Sequence, residues 1–131
     1  MLLEEYIAGP LYTLETIGDV DTAGAAEILR SHNLAVSTCA AMSPDRDLIH
    51  EDEAIRENGK TYLMQAIQVT QQLGGTNLVG PLYASVGRTW QQSANDRARD
   101  LELLAGTLRE LANYAAEHNV TLCLEPLNRF E

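Results

Sequence analysis

The chain has 131 residues and a formal net charge of −10 at pH 7, nine Lys and Arg against nineteen Asp and Glu. That balance argues against a nucleic-acid partner, because phosphate affinity is built from basic side chains. The length suits one domain, and 45% hydrophobic with 5% aromatic content calls for a mostly aliphatic core. The two cysteines, Cys39 and Cys123, have no CxxC or Cys/His spacing, so neither a disulfide framework nor a zinc site is expected.

The opening MLLEEYIAGP has no positive flank and no long apolar run, so no signal peptide or membrane span is expected, and the reading is a cytoplasmic protein. Within it, LLEEYI reads as a strand. The first helix is predicted over residues 21–31, capped by Asp21, with Ala25, Ile28 and Leu29 on its buried side. The strand LAVSTCA follows, with Leu34 and Val36 opposed to Ala35, Ser37 and Cys39. Met42-Ser43-Pro44-Asp45 reads as a turn at the rim of a pocket.

The second helix is predicted to begin in the solvated acidic run at residues 50–53, where negative charge meets the positive end of the helix dipole. It runs through Ile55, Tyr62, Leu63, Ala66, Ile67 and Leu73 to a stop at Gly74-Gly75. Gly59 costs this helix about 1 kcal/mol relative to Ala, a cost that marks a close approach. The strand TNLVGPLY comes next. Arg88 and Trp90, past the Gly87 turn, read either as part of a lid or as loop residues packed on the following helix. In the third helix Ser93 is the cap, Asp96 stands three residues on, and Leu101, Leu104, Leu108, Leu111 and Ala115 form one stripe. The last strand, VTLCLEP, sets Val120, Leu122 and Leu124 against Thr121, Cys123 and Glu125.

Four strands separated by helices should be parallel. In a doubly wound sheet both faces meet helices and both are apolar. Here one face is greasy and the other small and partly polar, which favours a closed barrel. The fold class is therefore α/β, a partial (β/α)8 TIM barrel with helices on the outer face. His32-Asn33 and His118-Asn119 fall at helix ends opposite the ligand side of such a fold, so neither histidine is a favoured ligand or base.

Ligands of α/β folds sit at the carboxyl ends of strands, here Cys39, Gly80-Pro81-Leu82-Tyr83 and Glu125. An inward Glu125 must be paired, protonated or bound to a metal. A hard divalent cation such as Mg²⁺ or Mn²⁺ is one partner, and Arg129 or Arg88 is the alternative. Cys39 and Cys123 read as small core residues, not nucleophiles.

The run Glu125-Pro126-Leu127-Asn128-Arg129-Phe130-Glu131 resembles the E-x-x-N-R-[FY]-E signature of the ketose 3-epimerases, a branch of the xylose isomerase-like TIM barrels. Residues 73–83 and 47–59 resemble the segments that precede it there, covering about the second to fifth strands of eight. The resemblance implies that Glu125 binds a divalent metal, Mn²⁺ with Co²⁺ or Mg²⁺ as alternatives, and exchanges a proton at C3 of a ketose through an enediolate. It implies that Glu131 contacts the sugar near its carbonyl, and that Cys39 and Tyr83 line the sugar pocket. The other metal ligands of the family come from later strands, so the metal site within these residues is incomplete and inactivity of this stretch alone is expected. Residues 1–131 then form a single incomplete barrel domain that needs a complementary half-barrel or an oligomer to cover its edges. Rival readings are a hydroxypyruvate isomerase, an inosose dehydratase, an endonuclease IV-like phosphodiesterase, against which the acidity speaks, and a non-catalytic half-barrel module.

Overall fold

The structure is a computed structural model that describes residues 21–87 and 92–127. In chain order these form α1 (Thr22–Ser31), β1 (Thr38–Cys39), α2 (Glu53–Gln72), β2 (Asn77–Gly80), α3 (Ala94–Glu117) and β3 (Thr121–Leu124). The strands pair in parallel in the order β1-β2-β3. The helix and strand alternation read from the sequence is therefore present. The strand expected in LLEEYI lies outside the described residues.

Side chains cap all three helices. Asp21 accepts from the Gly24 amide at 2.9 Å, Asp52 from that of Ala54 at 2.9 Å, and Ser93 from that of Asp96 at 3.1 Å. Each bond takes up one of the N–H groups that a first turn leaves free. The three helices also end alike. After the C-caps His32, Leu73 and His118 stands a residue with positive φ: Asn33 at 52°, Gly74 at 82° and Asn119 at 56°. The next amide reaches back into the last turn, Leu34 to the Leu29 carbonyl at 3.0 Å, Gly75 to Thr70 at 2.9 Å and Val120 to Ala115 at 2.9 Å. Gly and Asn tolerate this left-handed closure best, which accounts for the repeated His-Asn dipeptide. His118 is further occupied locally, its Nδ1 2.8 Å from the Tyr114 carbonyl.

The ladder register sets Thr38, Leu78 and Leu122 in one row and Cys39, Val79 and Cys123 in the next. Successive rows face opposite ways. The first row meets the helices, where Leu63 and Ile67 of α2 and Leu111 and Ala115 of α3 build the core with Leu78 and Val120. Its one polar insertion is satisfied, since Thr38 Oγ1 lies 2.6 Å from Thr70 Oγ1, which donates to the Ala66 carbonyl at 2.7 Å. Gly59 marks a close approach as expected. A Cβ there would stand 2.8 Å from the Arg46 carbonyl oxygen, and the Arg46 guanidinium lies 4.1 Å from the Tyr62 ring centroid.

Three expectations about burial are corrected. Ile28 is 62% exposed, whereas Ala26 is the buried residue of α1 and Thr22 donates to Gln72 of α2 at 2.9 Å. Leu101 is 58% exposed, and the α3 stripe continues from Leu104 to the buried Asp100. The two positions are one residue, about 100° of helix, apart. Gln92 Nε2 and Arg99 Nη2 donate to the Asp100 carboxylate at 2.6 and 2.9 Å, offsetting the cost of its burial. Cys39 is exposed and Cys123 only half-buried, so neither belongs to the core. Both lie on the sheet face opposite the described helices.

Candidate functional site at the strand ends

β2 ends on Gly80, whose φ is 138° and where a Cβ would stand 2.0 Å from the Ala40 carbonyl oxygen. Only glycine fits so close a strand approach with that backbone. The Gly80 carbonyl accepts from two amides, Leu82 and Glu125, each at 2.9 Å. The second bond carries the ladder one residue past β3. Strand alternation then assigns Glu125 to the face of Thr121 and Cys123, and it is exposed there.

The loops beyond the strands are tied to one another. Met42 and Ser85 form a parallel bridge, and the Val86 amide donates to the Met42 carbonyl at 3.3 Å. Ser85 Oγ donates to Asp47 Oδ2 at 3.0 Å, while Asp47 Oδ1 accepts from the Ile49 amide at 2.9 Å. Asp47 is 3% exposed, so these bonds answer a buried carboxylate. From the same loop, the half-buried Tyr83 accepts the Leu127 amide on its hydroxyl at 3.0 Å.

Glu125 and Tyr83 thus occupy adjoining strand tips. Cys39 ends β1, in the row of Cys123 but two strand spacings, about 10 Å, away across the sheet. Glu131, Arg88, Trp90 and Arg129 lie outside the described residues. The sequence reading passed over the Asp47–Ser85 pair and the backbone demand at Gly80. A local signal for the first exists, since Asp two residues before the amide it accepts is an Asx turn.

Among the described residues Glu125 has no cationic partner. The ion pairs there join Asp45 with Arg46, Lys60 with Glu110, and Arg99 with Asp96 and Asp100. Donation from the Lys60 ammonium to Glu110 raises the lysine pKa, and the bond to Asp100 likewise raises that of Arg99. As a hard oxygen donor with no cationic partner among the described residues, Glu125 has the chemistry of one ligand for Mg²⁺ or Mn²⁺. No group of three His, Cys, Asp or Glu placed to hold a metal occurs among the described residues, so they do not furnish a full ligand set. A groove lined by Lys60, Met64, Glu110 and Tyr114 lies between α2 and α3, away from the strand ends.

The parallel strands, the helices on one face and the carboxylate at a strand tip define a segment of an α/β barrel. The chain belongs to the xylose isomerase-like TIM barrel family, whose model matches residues 5–131. It is 30% identical over 113 residues to an L-ribulose 3-epimerase of Methylomonas sp. strain DH-1, covering 86% of this chain and 38% of that protein. Against a ketose 3-epimerase of Arthrobacter globiformis the identity is 29%, covering 86% and 37%. Among solved structures, an L-ribulose 3-epimerase superposes with a TM-score of 0.78 at 31% identity, over 86% of this chain and 37% of that one. A Methylomonas D-allulose 3-epimerase in complex with D-allulose gives 0.73 at 29%, over 85% and 38%. The chain therefore spans less than two-fifths of the length of these relatives. No helix among the described residues is long and apolar enough to cross a membrane.

Proposed function

We propose that this chain is the part of a sugar epimerase or isomerase that supplies one catalytic carboxylate, Glu125, to a ketose 3-epimerase reaction. The observation that carries this reading is the position of Glu125, on the open face one residue beyond β3 with its amide on the Gly80 carbonyl. The names of the relatives, ketose and L-ribulose 3-epimerases, supply the substrate class, a ketose sugar. In this reading residues 1–131 are one incomplete barrel domain, completed by a complementary half-barrel or an oligomer. Glu131, Cys39 and Tyr83 contribute to the sugar pocket.

The chemistry suits the residue. A proton on the carbon next to a ketone is only weakly acidic, and its removal by a carboxylate held close leaves an enediolate that is reprotonated from the opposite face. A divalent metal, Mn²⁺ first with Co²⁺ or Mg²⁺ as alternatives, would stabilise the oxyanion character that develops. Glu125 would serve as one of its oxygen ligands and as the group that moves the C3 proton.

The test is Glu125→Gln, which keeps the shape and removes the negative charge. In the completed barrel we expect Mn²⁺ affinity to fall at least about tenfold, as for loss of a ligand charge, and interconversion of D-fructose or L-ribulose with their C3 epimers to be abolished. Undiminished Mn²⁺ binding in the variant would remove Glu125 from the metal site.

A further inference from the structure

We propose that Tyr83 is a positioning residue for Glu125, holding the segment past β3 so that the backbone carrying the carboxylate keeps one place at the open face. The inference rests on the role given to Glu125 above. Its geometry stands independently. Beyond Leu124, two described bonds fix the chain: the Glu125 amide on the Gly80 carbonyl at 2.9 Å, and the Leu127 amide on the Tyr83 hydroxyl at 3.0 Å.

Between them lies Pro126. Its ring locks its own φ near −65° and confines the preceding residue, Glu125, to extended backbone. Proline narrows the φ and ψ of Glu125 to a range without fixing them, and because the Leu127 amide is held on Tyr83, neither these rotations nor the ψ of Pro126 can change far without breaking that bond. A phenylalanine would fill the same space and leave those rotations open.

Tyr83 is itself well founded. Its loop starts from Gly80, whose backbone admits no side chain, and is clamped two residues past Tyr83, where Ser85 bridges Met42 and donates to the buried Asp47 at 3.0 Å. The tether thus runs from the β1 loop through the β2 loop to the tip of β3. Such outer contacts tune a ligand without touching the metal.

The experiment is Tyr83→Phe, read by amide hydrogen exchange and by Mn²⁺ titration followed by the electron paramagnetic resonance of free Mn²⁺. The Leu127 amide should exchange about tenfold faster, the scale of one lost hydrogen bond, while the amides of Leu78 and Leu122 in the ladder keep their rates. Mn²⁺ affinity should fall about threefold to tenfold, at the lower edge of outer-contact effects, with an unchanged thermal midpoint. Equal Leu127 exchange in both proteins would overturn the tether. Faster exchange with unchanged Mn²⁺ affinity, in a protein that loses Mn²⁺ on Glu125→Gln, would overturn the coupling to Glu125. Should Glu125→Gln itself leave Mn²⁺ binding intact, the proposed function fails. Faster exchange at both Leu127 and Glu125 in Tyr83→Phe would then still establish the positioning of the segment.

Discussion

Leu78 and Val79 are neighbours in β2, yet they live in different surroundings. Leu78 is 1% exposed in the core formed with Leu63, Ile67 and Leu111, whereas Val79 stands partly exposed between Cys39 and Cys123 on the face away from the helices. The same division separates Val120 and Leu122, which belong to or pack on the core, from Thr121 and Cys123. Among the described residues the core lies on one face. Those of the other face make little packing with them, which leaves them available for chemistry at the strand tips.

The comparison breaks most directly by truncating each neighbour. Leu78→Ala removes a fully buried side chain and should destabilise the protein by about 3 to 5 kcal/mol, in the upper part of the range for core Leu→Ala changes. Val79→Ala should cost about 1 kcal/mol or less, since its loss is chiefly one of strand preference. Urea unfolding of the two variants measures both, and similar values would show that the open face is packed in solution after all.

The second expected effect lies where the faces meet. Gly80→Ala must place a Cβ 2.0 Å from a backbone oxygen at a φ of 138°. We expect a loss of about 3 kcal/mol, the upper range for a strained backbone residue. Because the neighbour is backbone and not the end of a flexible side chain, the sheet itself has to shift. Faster amide exchange at Leu82 and Glu125, which share the Gly80 carbonyl, would accompany that loss. A stable Gly80→Ala protein with normal exchange would mean that the strands can separate here without consequence.

Much of this division was legible beforehand because it rests on periodicity. The caps at Asp21 and Ser93, the Gly74-Gly75 stop and the alternation in β3 follow from local rules, and each appears where the pattern places it. Ile28 and Leu101 mislead for a shared reason. Hydrophobicity alone fixes a stripe only to within one residue, and the docking partner chooses which edge is covered. In α3 the buried edge includes Asp100, satisfied by Gln92 just before the helix and by Arg99 beside it, and no apolar pattern could reveal that. The cysteines mislead because small thiols suit a core by composition, while burial depends on what covers a face. At the candidate site, Glu125 was visible through strand alternation and its motif. The bond between Tyr83 and Leu127 joins residues 44 apart, a distance at which periodicity carries no information.

The smallest expected effect concerns the turn after β1, at the rim between the two faces. Ser43 donates to the Asp45 carboxylate and accepts from Arg46 Nε at 2.8 Å, so the hydroxyl relays between the two charges. That donation, with lesser help from the backbone and Arg46, lowers the Asp45 pKa. A carboxyl whose pKa is lower folded than unfolded binds fewer protons in the native state. Its contribution is therefore present above the usual aspartate value and is lost as pH falls through the lowered one, below about pH 4. Because Asp45 is exposed, solvent screens the interaction and its share of stability is small. The sensitive measurement is the carboxyl titration itself, followed by carbon-detected NMR. Ser43→Ala should move the Asp45 midpoint upward towards the ordinary aspartate value. A midpoint that stays low without the hydroxyl would shift the cause to the Arg46 guanidinium, 3.9 Å from the carboxylate. In that case Arg46→Gln would have to raise the midpoint where Ser43→Ala does not.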